Sequence, residues 1–131
     1  MNRIVVNPWQ WSVQMGFNQG EVVEGAGRVL YCAGQTSVDE NGTPQHPGDM
    51  GAQVSLALDN VEAVLREVAM ELANVVRLNI YTTDVDAFFA VYENATKRIA
   101  AAGVAPPGTL LGVARLAFPE LMVELEATAV A

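Results

Sequence analysis

A single cysteine, a single histidine and few basic residues mark what this 131-residue sequence has least of, and each scarcity closes off a class of function. Cys32 alone cannot form an intrachain disulfide, which fits a reducing compartment and leads us to expect a cytoplasmic location. With His46 the only histidine, a zinc site built from histidine and cysteine lacks ligands. Carboxylate-only sites for magnesium or calcium stay open, although no calcium-loop spacing occurs. Seven basic against 15 acidic residues leave a net charge of −8, and only Lys97 and Arg98 are adjacent. Binding a phosphate backbone needs a clustered positive surface that releases counterions, so no nucleic-acid partner is expected. No apolar run approaches the roughly 20 residues of a membrane span, and the opening residues 1–11 lack the apolar core and cleavage site of a signal peptide. Neither a membrane partner nor export is expected.

What is present is material for a packed core: 51% apolar and only 17% charged residues, in a length near that of one domain. No stretch has the composition of a linker, so residues 1–131 read as a single domain.

Two periodicities organise the chain. Residues 21–24 and 28–35, separated by Gly25-Ala26-Gly27, read as a hairpin. From about 49 to 70, Val54, Ala57, Val61, Val64, Leu65 and Val68 recur at helical spacing, with Gln53, Asp59, Glu62, Arg66 and Glu67 elsewhere around the helix. Residues 76–83 alternate as a strand, Val76, Leu78 and Ile80 against Arg77, Asn79 and Tyr81. Asp84 or Asp86 can cap a second helix to about 101, with Phe88, Val91, Tyr92, Ala95 and Ile99 as its stripe and Gly103 and Pro106-Pro107 at its end. Two strands follow, about 109–116 and 121–130, the last alternating Leu121, Val123, Leu125 and Ala127 against Met122, Glu124, Glu126 and Thr128.

Connections that contain a whole helix permit parallel strand pairs with right-handed crossovers. The expected architecture is one sheet with both helices on one face. Its other face is expected to carry apolar residues, among them Val29 or Leu30, Val76 or its neighbours, and the Leu121 to Ala129 series, which a second subunit would cover.

Several separated runs, in order along nearly the whole chain, resemble the RidA family (also YjgF, or L-PSP endoribonucleases): residues 29–35 (Val-Leu-Tyr-Cys-Ala-Gly-Gln), 53–61, 75–84, 113–116 (Val-Ala-Arg-Leu) and 123–127 (Val-Glu-Leu-Glu-Ala). The resemblance implies a chorismate-mutase-like α+β subunit with a mixed sheet, assembled as a homotrimer with pockets between subunits. It also implies hydrolysis of reactive 2-imino or 2-enamino acids to the keto acid and ammonia, with no cofactor. Such chemistry needs a clamp for the substrate carboxylate, hydrogen-bonding groups around the imine and a positioned water.

The clamp is an arginine in the family's deaminases, and Gly108 occupies the matching position in Pro106-Pro107-Gly108-Thr109-Leu110. Arg115, with unbroken alternation from Gly108, would point to the opposite face and reads as framework, while Arg28 and Arg77 stay open as substitutes. Phe17 matches a pocket tyrosine without its hydroxyl, Ala33 a serine before the Gly34-Gln35 pair, and Leu110 a pocket cysteine. The resemblance therefore places Phe17, Ala33, Gly34, Gly108, Thr109 and Leu110 at the substrate, in a pocket more apolar than an imino-acid deaminase needs.

Glu124, at the matched final-strand carboxylate, is the catalytic candidate, and desolvation in such a pocket would raise its pKa. Glu126 reads as structural or solvated, Cys32 as a buried inert thiol, and His46 as a solvated loop residue. Trp9 and Trp11 either pack on the sheet or wall the pocket, and Tyr81 reads as interface packing. Three readings follow: a cofactor-free hydrolase or deaminase of imine or enamine compounds, with 2-imino acids disfavoured; a non-catalytic trimeric metabolite-binding or regulatory protein; and, weakest for so acidic a chain, an endoribonuclease.

Overall fold

The main sheet is built around the last strand of the chain. A computed structural model describes all residues, Met1–Ala131. In order it contains β1 (Asn2–Val6), α1 (Trp11–Gln14), β2 (Gly20–Glu24), β3 (Val29–Tyr31), β4 (Gln35–Thr36), α2 (Met50–Glu67), a 3-10 turn (Leu72–Asn74), β5 (Val75–Thr82), α3 (Val85–Ala90), α4 (Tyr92–Ala101), β6 (Leu110–Gly112) and β7 (Val123–Val130). β7 pairs antiparallel with β3 and β4 along one edge and with β5 along the other, and β6 adds parallel to β5. This is an α+β fold with a mixed sheet. The single parallel pair is the one joined through α3 and α4.

Strict alternation in β7 divides the sheet's two faces. Val123, Leu125, Ala127 and Ala129 are buried in the core with Val54, Leu58 and Val61 of α2 and with Phe88, Ala95 and Ile99 of α3 and α4. Glu124, Glu126 and Thr128 turn the other way, opposite Tyr81, Asn79 and Arg77 of β5. The helix-free face is thus largely polar, with Val29, Tyr31 and Leu111 as exposed apolar members. The expectation that the Leu121 to Ala129 series would lie uncovered is corrected, because its period of two places it under the helices.

α2 begins at Asp49, whose carboxylate accepts from the Ala52 N–H at 3.1 Å. Gln53 does not join its polar side. It is fully buried, its amide donating to the carbonyls of His46 (3.1 Å) and Glu120 (2.8 Å) and accepting from the Met122 N–H (2.8 Å), which ties the helix to the approach to β7. His46 is exposed with φ 58°, its carbonyl serving this contact. The second helix is divided at Val91 into α3, capped by Asp84, and α4. Arg98 on α4 joins it to α2 through Asp59 (2.9 Å), Glu62 (2.7 Å) and the Ser55 carbonyl (3.0 Å).

Three strand expectations are corrected. β2 pairs with β1, Asn2 opposite Glu24 through Val6 opposite Gly20, while β3 turns away after Gly25 (φ 72°) to join β7, so residues 21–35 form no hairpin. Arg3 fixes the β1–β2 ribbon to the body: it pairs with Glu21 and donates to the carbonyls of Ala73 and, at 3.0 Å, Val75. β5 bulges between Val75 and Arg77, so Val75, not Val76, is buried in line with Leu78. Finally, β6 ends at Gly112, leaving Arg115 off the strand and exposed, so alternation no longer relates it to Gly108. No helix is long and apolar enough to cross a membrane.

Candidate functional site

The singled-out residues fall into two groups on opposite faces of the sheet. Phe17, Gly108, Thr109 and Leu110 line a cavity of about 240 Å³ on the helix side, floored by Leu78 and Ile80 and walled by α3 and α4. Ala33, Gly34 and Glu124 belong to the helix-free face or its rim. Pairing explains the division: Leu110 lies beside Ile80, whose other neighbour is core-facing Leu125, whereas Glu124 lies beside Tyr81. Within the chain, Glu124 does not enter the pocket of Phe17 and Leu110.

The cavity is apolar. Its entrance loop is held by the Tyr92 hydroxyl, which donates to the Met15 carbonyl at 2.8 Å, and Phe17 meets Trp11 edge-on with ring centroids 5.8 Å apart. Trp9 and Trp11 are exposed and neither lines the cavity, Trp11 backing Phe17 from outside. Burial pushes the Tyr92 hydroxyl pKa up, keeping it neutral.

Gly108 is pressed onto β5. The Leu78 N–H donates to Pro107 O at 3.1 Å and the Ile80 N–H to Thr109 O at 2.8 Å, drawing the backbone so close that a Cβ on Gly108 would stand 1.7 Å from the Leu78 carbonyl oxygen. No side chain fits there without moving the strand. The position that the resemblance matches to an arginine clamp is closed by main chain.

On the other face, two carboxylates have opposite electrostatics. Glu126 accepts from the Tyr81 hydroxyl at 2.9 Å and the Asn79 amide at 3.0 Å, and these donors, Asn79 foremost, hold its pKa below the usual carboxylate range. Donation to Glu126 in turn raises that of Tyr81. Glu124 is pushed up, first by burial and then by the neighbouring Glu126 charge. Asn79 also accepts from the Thr109 N–H at 3.1 Å, so a cavity-lining residue and Glu126 are joined through one amide. Nothing in the sequence pattern brings Asn79, Tyr81 and Glu126 together; only the β5–β7 register shows them converging.

Neither open arginine lies near Glu124. Arg77 shares its face but sits opposite Thr128, four positions along β7 or roughly 13 Å away. Arg28 is at the far end of the sheet, donating to the Val68 carbonyl at 2.8 Å. Cys32 is buried, which raises its thiol pKa and fits an inert role. No group of three or more His, Cys, Asp or Glu side chains is placed to hold a metal ion.

Comparison with known proteins gives concordant matches. The family described as endoribonuclease L-PSP matches residues 12–131. The crystal structure of YyfB from Yersinia pestis, a protein of unknown function of the conserved Rid family, matches over 100% of both chains with a TM-score of 0.85 and 36% identity. The mitochondrial protein mmf2 of Schizosaccharomyces pombe is 30% identical over 71% of this chain and 70% of its own. The 2-iminobutanoate/2-iminopropanoate deaminase of Escherichia coli is 29% identical over 85% of this chain and 88% of its own.

Proposed function

The chain belongs to the endoribonuclease L-PSP family, also called RidA or YjgF, and from that premise we propose that it is a cofactor-free hydrolase of imine or enamine compounds, acting in pockets between subunits of a homotrimer. A relative that is a named 2-imino acid deaminase supports the reaction class. The observation that carries the reading is Glu124, a carboxyl of raised pKa on a sheet face that no helix covers.

The division of the site explains the need for assembly. If the helix-free face of one subunit packs beside the cavity mouth of the next, Glu124 and Gly34 of the first meet Phe17, Thr109 and Leu110 of the second. There a protonated Glu124 donates to the imine nitrogen and, once ionised, accepts a proton from the attacking water. Water adds to the C=N carbon, Glu124 passes the proton it took from water to the amine nitrogen as the C–N bond breaks and takes up the hydroxyl proton, and the products are the carbonyl compound and ammonia. Phe17 and Leu110 exclude bulk water, and the Gly34 backbone leaves room for the carboxyl.

A second reading, a trimeric metabolite-binding or regulatory protein without catalysis, is favoured by the closed Gly108 position. Ammonia release from imines generated in situ by an amine oxidase or amino-acid oxidase separates the two. Faster release with protein than without supports the hydrolase. No acceleration on carboxylated or neutral imines leaves the binding reading. The reduced thiol of Cys32 fits the cytoplasm, or the mitochondrial compartment named for the fission-yeast relative.

A further inference from the structure

We infer that the helix-side cavity takes an uncharged small molecule, one that lacks a carboxylate. The inference rests on the reading of this cavity as the ligand-holding half of the site and goes on to name the class of ligand.

The lining contains no acidic or basic side chain. Its one ionisable group, Tyr92, has its hydroxyl committed to the Met15 carbonyl, and the Thr96 hydroxyl is turned back onto the carbonyls of Tyr92 (3.3 Å) and Glu93 (3.4 Å). The cations of the adjoining helix are engaged elsewhere, Arg98 with Asp59 and Glu62, and Lys97 with Glu93 at 3.5 Å. At Gly108 the backbone lies against Leu78, so no side chain of any kind can enter from that side. An anion here would lose its water and gain no opposite charge, which strongly disfavours it.

What the cavity offers is apolar surface from Phe17, Ile80, Phe89 and Leu110, with Thr109 as a polar handle at the edge. A volume of about 240 Å³ lies below the roughly 300–1,000 Å³ of drug-sized pockets and, equal to the space of about eight waters at roughly 30 Å³ each, suits a small compound. An aldehyde, ketone, amide or neutral imine with a short apolar body meets these terms.

The test compares benzamide with benzoate, near-isosteric probes that differ in charge, by titration into the 15N-labelled full chain in its native assembly at neutral pH. Benzamide is expected to shift the amides of Gly16, Phe17, Gly108, Thr109 and Leu110 in a saturable way, with benzoate at least tenfold weaker. Benzoate binding at these amides as tightly as benzamide overturns the uncharged-ligand inference while leaving the cavity as the ligand site, and means that a second copy supplies a cation. Failure of both probes to move these amides overturns the inference and the cavity assignment together.

Discussion

The carboxyl of Glu124 lies directly over the Cα of Gly34, so close that a Cβ there would stand 2.6 Å from Glu124 Cδ and 2.8 Å from Oε1. The glycine leaves the space that the carboxyl occupies. Because the obstructing atoms are the end of a flexible side chain, Gly34→Ala should fold, with a stability change within about 1 kcal/mol, yet turn Glu124 away from its position. Thermal unfolding should be nearly unchanged while ammonia release or ligand affinity falls severalfold. A large loss of stability would show instead that Glu124 cannot move.

Glu124→Gln keeps the shape and removes the charge, so assembly should persist while activity or ligand affinity falls tenfold or more, within the roughly 100-fold range of general acid–base effects. Its pH signature is specific. A carboxyl whose folded pKa is raised above its ordinary 4.5 binds more protons folded than unfolded, so its contribution to stability declines as pH rises above that value. Glu124→Gln should therefore gain stability relative to the parent as pH rises from 4.5. Glu126 has the opposite sign: its stabilisation is present above the ordinary value and is lost as pH falls through its lowered folded pKa. Glu126→Gln should cost stability at neutral pH and little in acid. Melting temperatures across pH 3–8 check both signs.

Gly108→Arg should not create a clamp. Its Cβ would collide with the Leu78 carbonyl, and even Gly108→Ala should destabilise the chain by about 1–3 kcal/mol or more, as overpacking does. Denaturant titration of the alanine variant measures this; an unchanged midpoint would mean that the loop backs off β5 easily.

The ribbon of β1 and β2 should loosen when Glu21 is removed. The Glu21 side chain is only 4% exposed and is paired with Arg3, itself 21% exposed. Glu21→Ala leaves the Arg3 guanidinium with the carbonyls of Ala73 and Val75 but no counter-charge, at a cost on the order of 2 kcal/mol, below the roughly 3–5 kcal/mol of fully buried pairs. Hydrogen exchange of residues 2–6 should quicken before that of β7.

Light scattering should return a mass near 42 kDa, three times the 14.0 kDa chain. A stable monomer at micromolar concentration would remove the pocket between subunits along with the trimer.

The elements easiest to read in the sequence were those whose burial follows a local period. β7 alternates without interruption, and α2 buries Val54, Ala57, Leu58, Val61 and Leu65 at helical spacing. Features decided by distant partners were less legible. Residues 21–24 carry nothing to say that they pair with residues 2–6 across α1, and Val76 alternates properly until the bulge moves it out of phase. Gln53 reads as surface because its three hydrogen-bond partners lie 7 to 69 residues away. At the candidate site, the shared face of Glu124 and Glu126 was legible from the alternation of β7. The roles of Asn79 and Tyr81 were not, because they depend on which residues of β7 lie opposite.

The placing of β7 also sets a tempo. Its partners β3, β4 and β5 all precede it, and Val29 must find Val130 about a hundred residues downstream. None of the three can complete its ladder until that search succeeds, and the entropy of closing such long loops is lost before any pairing compensates for it. Chains with so many distant pairings fold on the scale of milliseconds to seconds. During that interval the edges of β3 and β5 stand open to other strands, so refolding yield should fall as protein concentration rises.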